Sequence, residues 1–233
     1  MSATPASHPV VGLAGVTKRF RRGREVVHAI EAVTFDLREG ELVVLVGPSG
    51  SGKSTLLNLL AGWEAPDEGA LCWSPTLSDA PASDRPWSEV ALVPQALGLV
   101  DDLSVRENVA LPLRLAGLRR AERDARALGL LERFGLAALR DRLPAETSLG
   151  EQQRAALARA LVVTPRLLLA DEPTAHQDAA WTEAVLVAIR EAAHAGTACL
   201  VATHNPDAVP VADRLLSMRD GRLVETPSRL TGK

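Results

Sequence analysis

The sequence predicts an α/β fold with a parallel sheet at its centre. Three short apolar runs carry that prediction, at Leu42–Val46, 167–170 and 198–202. An unbroken run of this length reads as a strand covered on both faces, as in a parallel sheet. A run of helix formers at 53–61 follows the first strand across a glycine-rich loop. It stops at Gly62, a residue suited to the position just past a helix. The chain has 233 residues, 46% of them hydrophobic, enough for one large domain or one domain with an insert.

Residues 10–20 and 27–37 read as strands joined by the basic turn Arg21-Arg22-Gly23-Arg24, which predicts an antiparallel β subdomain at the N-terminus. Segment 63–87 contains Pro66, Pro75, Pro81 and Pro86, so it is loop-rich and its local pattern assigns no regular element. A short strand over 89–94 leads to Gln95. Helical spacing then runs through 104–117, 119–134 and 136–140. Ser104 and Glu107 have the spacing of a capping box, and Pro112 should bend or end the first of these helices near Leu111. Residues of about 96–155 are therefore expected to form a small helical subdomain inserted in a core of about 1–95 and 156–233. A further helix is expected over 151–163. Residues 215–224 read as a terminal hairpin about Asp220-Gly221.

Residues 42–62 carry the chemistry. Gly47, Gly50 and Gly52 let the backbone curl between strand and helix, and Gly47 to Ser54 fits the pattern G-x-x-x-x-G-K-[ST]. That is a P-loop. Its inward N–H groups form a nest for phosphate oxygens, and the helix beginning near Lys53 aims its positive dipole end at the same place. Lys53 adds a full charge near the β and γ phosphates. Ser54 offers a hydroxyl to Mg²⁺, which prefers oxygen ligands. Gly47, Pro48, Ser49, Gly50, Ser51, Gly52, Lys53, Ser54 and Thr55 are thus the expected phosphate-binding residues.

Two other strands end in chemistry. Residues 167–172 end in Asp171 and Glu172, and 198–204 end in His204. In open α/β sheets ligands bind beyond the carboxyl ends of the strands. Asp171 is placed to hold Mg²⁺ through its waters. Glu172 suits a general base, or an orienter, for the water that attacks the γ-phosphate. His204 is placed for a γ-phosphate contact. Gln95, at another strand end, could reach Mg²⁺ or the water when the insert moves.

Composition narrows the partners. Net charge is −3, and three Phe, four Trp and no Tyr leave little for stacking bases, so no nucleic-acid partner is expected. Cys72 and Cys199 lack metal-ligand spacing and read as idle thiols in a reducing cytosol. The small, polar segment 1–9 does not read as a signal peptide, and no run of 18 apolar residues is present, so no bilayer-spanning segment is expected.

In this order the residues resemble an ABC-transporter nucleotide-binding domain, over nearly the whole chain. Gly47 to Thr55 resembles Walker A, Gln95 the Q-loop and Leu168 to Glu172 Walker B. Thr147-Ser148-Leu149-Gly150-Glu151-Gln152 sits where the family carries its L-S-G-G-Q/E signature. Ala175-His176-Gln177-Asp178 occupies the D-loop, and Thr203-His204 the switch-histidine loop. Stretches such as Glu107-Asn-Val-Ala-Leu-Pro-Leu113 look most like the LolD/MacB/FtsE-like branch.

The resemblance implies a RecA-like P-loop NTPase core and ATP with Mg²⁺ as ligands. Lys53, Glu172 and His204 would be the catalytic groups, and Ser54, Gln95 and Asp171 the metal site. Phe20 would stack on adenine. A second nucleotide-binding subunit, in a homodimer, would present Ser148 and Gly150 to the γ-phosphate, and Asp178 of the D-loop and Gln95 would also be among the nucleotide-binding residues. The protein would sit on the cytoplasmic face of the plasma membrane, bound through an integral permease. Its work would be transport of the export or lipoprotein-release type. A membrane-docked ATPase that regulates a cell-envelope enzyme or sensor is the alternative. A soluble ATPase of DNA repair or translation fits less well, given one P-loop, no long coiled-coil insert and mild acidity.

Three positions depart from the family. Leu149 replaces the first signature glycine and is expected to crowd the phosphate approach, giving slower hydrolysis or a shifted signature loop without lost binding. Gln177 replaces the usual D-loop leucine and is expected to alter coupling between the two sites. Pro94 replaces the usual aromatic and is expected to stiffen the hinge at Gln95. Region 71–88 also lacks the basic helix often found there.

Overall fold

The computed structural model describes residues 9–23 and 25–225. Arg24 of the basic turn and residues 1–8 of the polar N-terminal segment lie outside them.

The first two strands, β1 (Pro9–Arg22) and β2 (Glu25–Arg38), pair antiparallel. With β4 (Glu68–Trp73) they make a three-stranded sheet in the order β2-β1-β4. The six-stranded sheet is ordered β5-β6-β7-β3-β8-β9. It comprises β3 (Leu42–Val46), β5 (Val90–Val93), β6 (Leu167–Asp171), β7 (Ala198–Ala202), β8 (Arg214–Arg219) and β9 (Arg222–Glu225). All its pairings are parallel except the terminal β8–β9 hairpin. Every residue of β6 and β7 is buried, as their unbroken hydrophobicity requires.

Side chains alternate across β3. Val43 and Leu45 face a core shared with α1 (Lys53–Leu60) and the three-stranded sheet. Leu42 and Val44 face a second core built with four other helices, α2 (Val105–Leu115), α3 (Arg120–Arg133), α4 (Leu149–Leu161) and α5 (Ala179–His194). Burial on both faces fixes register, because a slip of one residue would exchange the two cores. The Asp171–Ala202 and Leu45–Ala202 pairings bring the ends of β6, β7 and β3 level.

The α2 capping box is present: Ser104 N–H donates to Glu107 (2.9 Å) and Glu107 N–H to Ser104 Oγ (3.2 Å). Those bonds from Ser104 hold the Glu107 carboxyl below its usual range. Several expectations need correction. Helix α2 runs on to Leu115, so Pro112 does not end it; Pro112 is itself buried in the packing of α2. The stretch 136–140 gives only one 3₁₀ turn, Ala137–Leu139. Segment 63–87 is not all loop, since β4 lies between its first two prolines. Gly69 (φ +81°) allows this, for a Cβ there would come within 2.4 Å of the Gly15 carbonyl oxygen on β1. Helix α5 goes beyond anything predicted. Its buried residues Thr182, Val185, Leu186, Ile189 and Ala193 have helical spacing. Among the described residues no helix is long and apolar enough to cross a membrane.

The two cysteines occupy opposite environments. Cys199 on β7 is fully buried, and burial pushes its thiol up to about 12; Cys72 on β4 is exposed. At pH 8 the native protein is expected to titrate one thiol with an aromatic disulfide reagent, and two in urea. Two equally fast thiols in the native protein would contradict this packing.

Candidate functional site

At the carboxyl edge of the six-stranded sheet lies a cleft of about 790 Å³. Its walls include Gly47, Pro48, Ser49, Gly50, Gly52, Lys53, Ser54, Thr55, Gln95, Asp171, Glu172 and His204. Parallel pairing of β5, β6, β7 and β3 explains the convergence, because each of these residues ends or follows one of those strands or opens α1.

The glycine loop is held by its neighbours. Gly52 caps α1 in the left-handed region (φ +107°), and a Cβ there would come within 2.3 Å of the Ala29 carbonyl oxygen. A Cβ on Gly47 would come within 2.2 Å of the Met218 carbonyl oxygen. The loop therefore nests between β2 and β8 only because these positions lack side chains. The first-turn N–H groups of α1 have no intrahelical acceptor and point into the cleft end of the helix. Lys53 Nζ folds back over the loop, donating to the carbonyls of Gly47 (2.8 Å) and Pro48 (3.1 Å).

Ser54 Oγ donates to Asp171 Oδ2 at 2.6 Å, joining α1 to β6. Burial is the main influence on Asp171 and raises its pKa. The Ser54 bond and nearby Lys53 offset this in part, while Glu172 adds to it. Two hard oxygen donors side by side, with Gln95 on the same cleft, fit Mg²⁺, which takes few protein ligands and fills the rest with phosphate and water.

Glu172 is clamped from several sides. Its backbone is left-handed (φ +51°), and its N–H donates to the Ala202 carbonyl at 2.8 Å. Its carboxylate accepts from Thr203 Oγ1 (2.9 Å) and His204 N–H (3.3 Å), and its Oε1 lies 2.8 Å from His204 Nδ1. The glutamate side chain is 14% exposed and the histidine ring 79% exposed, so the pair spans from protein interior to solvent.

Other expected site residues lie outside this cleft. Phe20 is on β1, part-exposed beneath Lys18 Nζ at 5.2 Å. Ser51 points inward, and its N–H donates to the Pro48 carbonyl (3.2 Å). Ser148 caps α4: its hydroxyl accepts from Glu151 N–H (3.3 Å). Asp178 caps α5, accepting from Trp181 N–H (2.9 Å). Gly150 meets the D-loop, where a Cβ would come within 2.7 Å of the His176 carbonyl oxygen.

Two departures have a visible setting. Leu149 opens α4 and is 47% exposed on the cleft wall. Gln177 ties the D-loop to α4: its Nε2 donates to the Gly150 carbonyl (2.8 Å), and its Oε1 accepts from Arg154 Nη1 (2.8 Å). Arg154 in turn stacks 4.1 Å over the Trp181 ring. Arg159, buried and for that reason pushed down to about 10, fixes the loop after Gln95 by donating to the Gly98 (2.6 Å) and Leu97 (2.8 Å) carbonyls. The sequence assigns no role to either arginine, although Gly150-Glu-Gln-Gln-Arg154 resembles the LolD/MacB/FtsE-like branch; each sits on the apolar-patterned helix α4, where a charged residue turned inward is the available signal. Gln153, also on the cleft wall, was missed for the same reason.

Comparison with known proteins agrees with this geometry. The family model for ABC transporters matches residues 30–175. The lipoprotein-releasing system ATP-binding protein LolD of Gluconobacter oxydans is 42% identical over 217 residues, 91% of this chain and 94% of that protein. LolD 2 of Caulobacter vibrioides is 40% identical over 222 residues, 93% of this chain and 97% of that protein. Among solved structures, the ATP-binding cassette MJ0796, a dimer in a post-hydrolysis state bound to ADP and phosphate, superposes with a TM-score of 0.85 at 32% identity. It covers 92% of this chain and 98% of that one. With a cleft that joins a P-loop to an acid pair and a strand-end histidine, the chain belongs to the ABC transporter family, as an ATP-binding cassette ATPase.

Proposed function

We propose that this ATPase clamps Mg-ATP between two copies of itself and drives a separate membrane permease of the lipoprotein-release or export type, from the cytoplasmic face of the plasma membrane. The observation that carries the reading is one cleft in which Lys53, the Ser54–Asp171 contact and the Glu172–His204 pair converge. The relatives named for lipoprotein release, matched over nine-tenths of this chain, support the transport class. The dimeric cassette supports pairing of two copies.

In the proposed mechanism the P-loop N–H groups and Lys53 bind and neutralise the triphosphate. Ser54 and Asp171 would hold the magnesium, with Gln95 beside them, and the ion would supply charge neutralisation at the phosphate oxygens. Glu172 orients a water in line with the γ-phosphate and takes its proton. His204 braces that carboxylate and contacts the γ-phosphate. Phe20 stacks on adenine. Ser148 and Gly150 at the head of α4 serve the nucleotide of the other copy, with Asp178 near the shared interface. Residues of about 96–155 swing as a helical subdomain through the Gln95 loop, although α4 continues past that boundary.

Glu172→Gln should leave ATP affinity intact, lower turnover by about 10²–10⁴-fold and hold an ATP-dependent dimer in light scattering. Wild-type turnover in that variant would remove Glu172 from its role. Gly150→Ala places a Cβ against the His176 carbonyl and should push the D-loop off α4. In the Glu172→Gln background it is expected to weaken the ATP-dependent dimer while monomer ATP affinity stays unchanged; an undiminished dimer would show that this contact does not shape the interface.

A further inference from the structure

The geometry points to Gln153 as a positioning residue for hydrolysis, one that fixes the Glu172 peptide from the signature helix of the same chain. Gln153 lies four residues after Leu149 on α4, so the two share a face, and both line the cleft. Its side chain is only 3% exposed. The Nε2 end donates to the Glu172 carbonyl oxygen. The Oε1 end is buried and, among the described residues, has no hydrogen-bond partner.

An amide with one end unsatisfied is a poor choice for packing alone, since an apolar side chain of similar volume would fill the space without a stranded acceptor. The donating end explains its presence. Glu172 occupies a left-handed conformation that a side-chain-bearing residue keeps only when its surroundings over-determine it. Its N–H is held by the Ala202 carbonyl of β7, and its carbonyl by Gln153 of α4. With both ends of the residue held, the Cα–Cβ direction is set, and so is the point from which the carboxylate reaches toward Thr203 and His204. Gln177 bonds to the Gly150 carbonyl one turn earlier on α4, so any shift of the signature helix reaches Glu172 through Gln153 as a displacement of its backbone.

This inference rests on the proposed role of Glu172. The test uses Gln153→Leu and Gln153→Met, which remove the donor and the stranded acceptor together, and Gln153→Glu, which keeps the shape but sets a carboxylate against the carbonyl. Turnover is expected to fall at least about tenfold in each with ATP KM essentially unchanged, and the thermal midpoint is expected to hold in Gln153→Leu and Gln153→Met and to fall in Gln153→Glu, where the carboxylate is buried without a donor. Combined with Glu172→Gln, each change is expected to cost no further rate in single turnover, because the group it positions is already gone. Wild-type turnover in the Gln153 variants that fold, a loss confined to KM, or a full additional loss in the Glu172→Gln background would each overturn the inference. Wild-type turnover of Glu172→Gln alone would instead overturn the role of Glu172, and this inference with it.

Discussion

The site depends on three buried parallel strands, β6, β7 and β3, ending at one edge in register. Nothing on the cleft wall would meet without that constraint. A bond as short as the 2.6 Å contact from Ser54 to Asp171 joins residues far apart in sequence, and it forms because α1 leaves β3 at the same level where β6 runs out. The two cores on either side of the sheet fix this level, since a register slip would turn each strand's side chains into the wrong layer.

Most of this frame was legible in the sequence because it rests on short-range signals. Unbroken runs such as Leu42–Val46 announce doubly covered strands, and the glycines and Lys53 announce a phosphate loop. The Ser104 box was readable for the same reason: four adjacent residues supply the whole motif. What failed to show was set at long range. Strand β4 sits in a proline-rich stretch and exists because Gly69 lets the backbone approach β1. Helix α2 continues through Pro112 because tertiary packing outweighs the lost backbone bond.

The site divides along the same line. Residues that the strand ends and the loop carry, such as Asp171, Glu172 and His204, were visible as strand-terminal polar groups. The support around them was not. Gln153, Arg154 and Arg159 look like ordinary polar positions on a helix, and only the fold turns them toward carbonyls of other segments. Ser148 and Asp178 have their side chains engaged as helix caps within the chain, a local use their surroundings in the sequence equally allowed.

The margins of the six-stranded sheet close the picture. At one side β5 has four residues and is followed at once by Pro94, which lacks an N–H to offer a neighbour. At the other, β9 is equally short and turns back antiparallel, with Arg222 fastened to Glu31 of β2 at 2.8 Å. Among the described residues, neither flank of this sheet offers a long open edge for strand addition between molecules. Fibrous stacking through this sheet is disfavoured for the same reason.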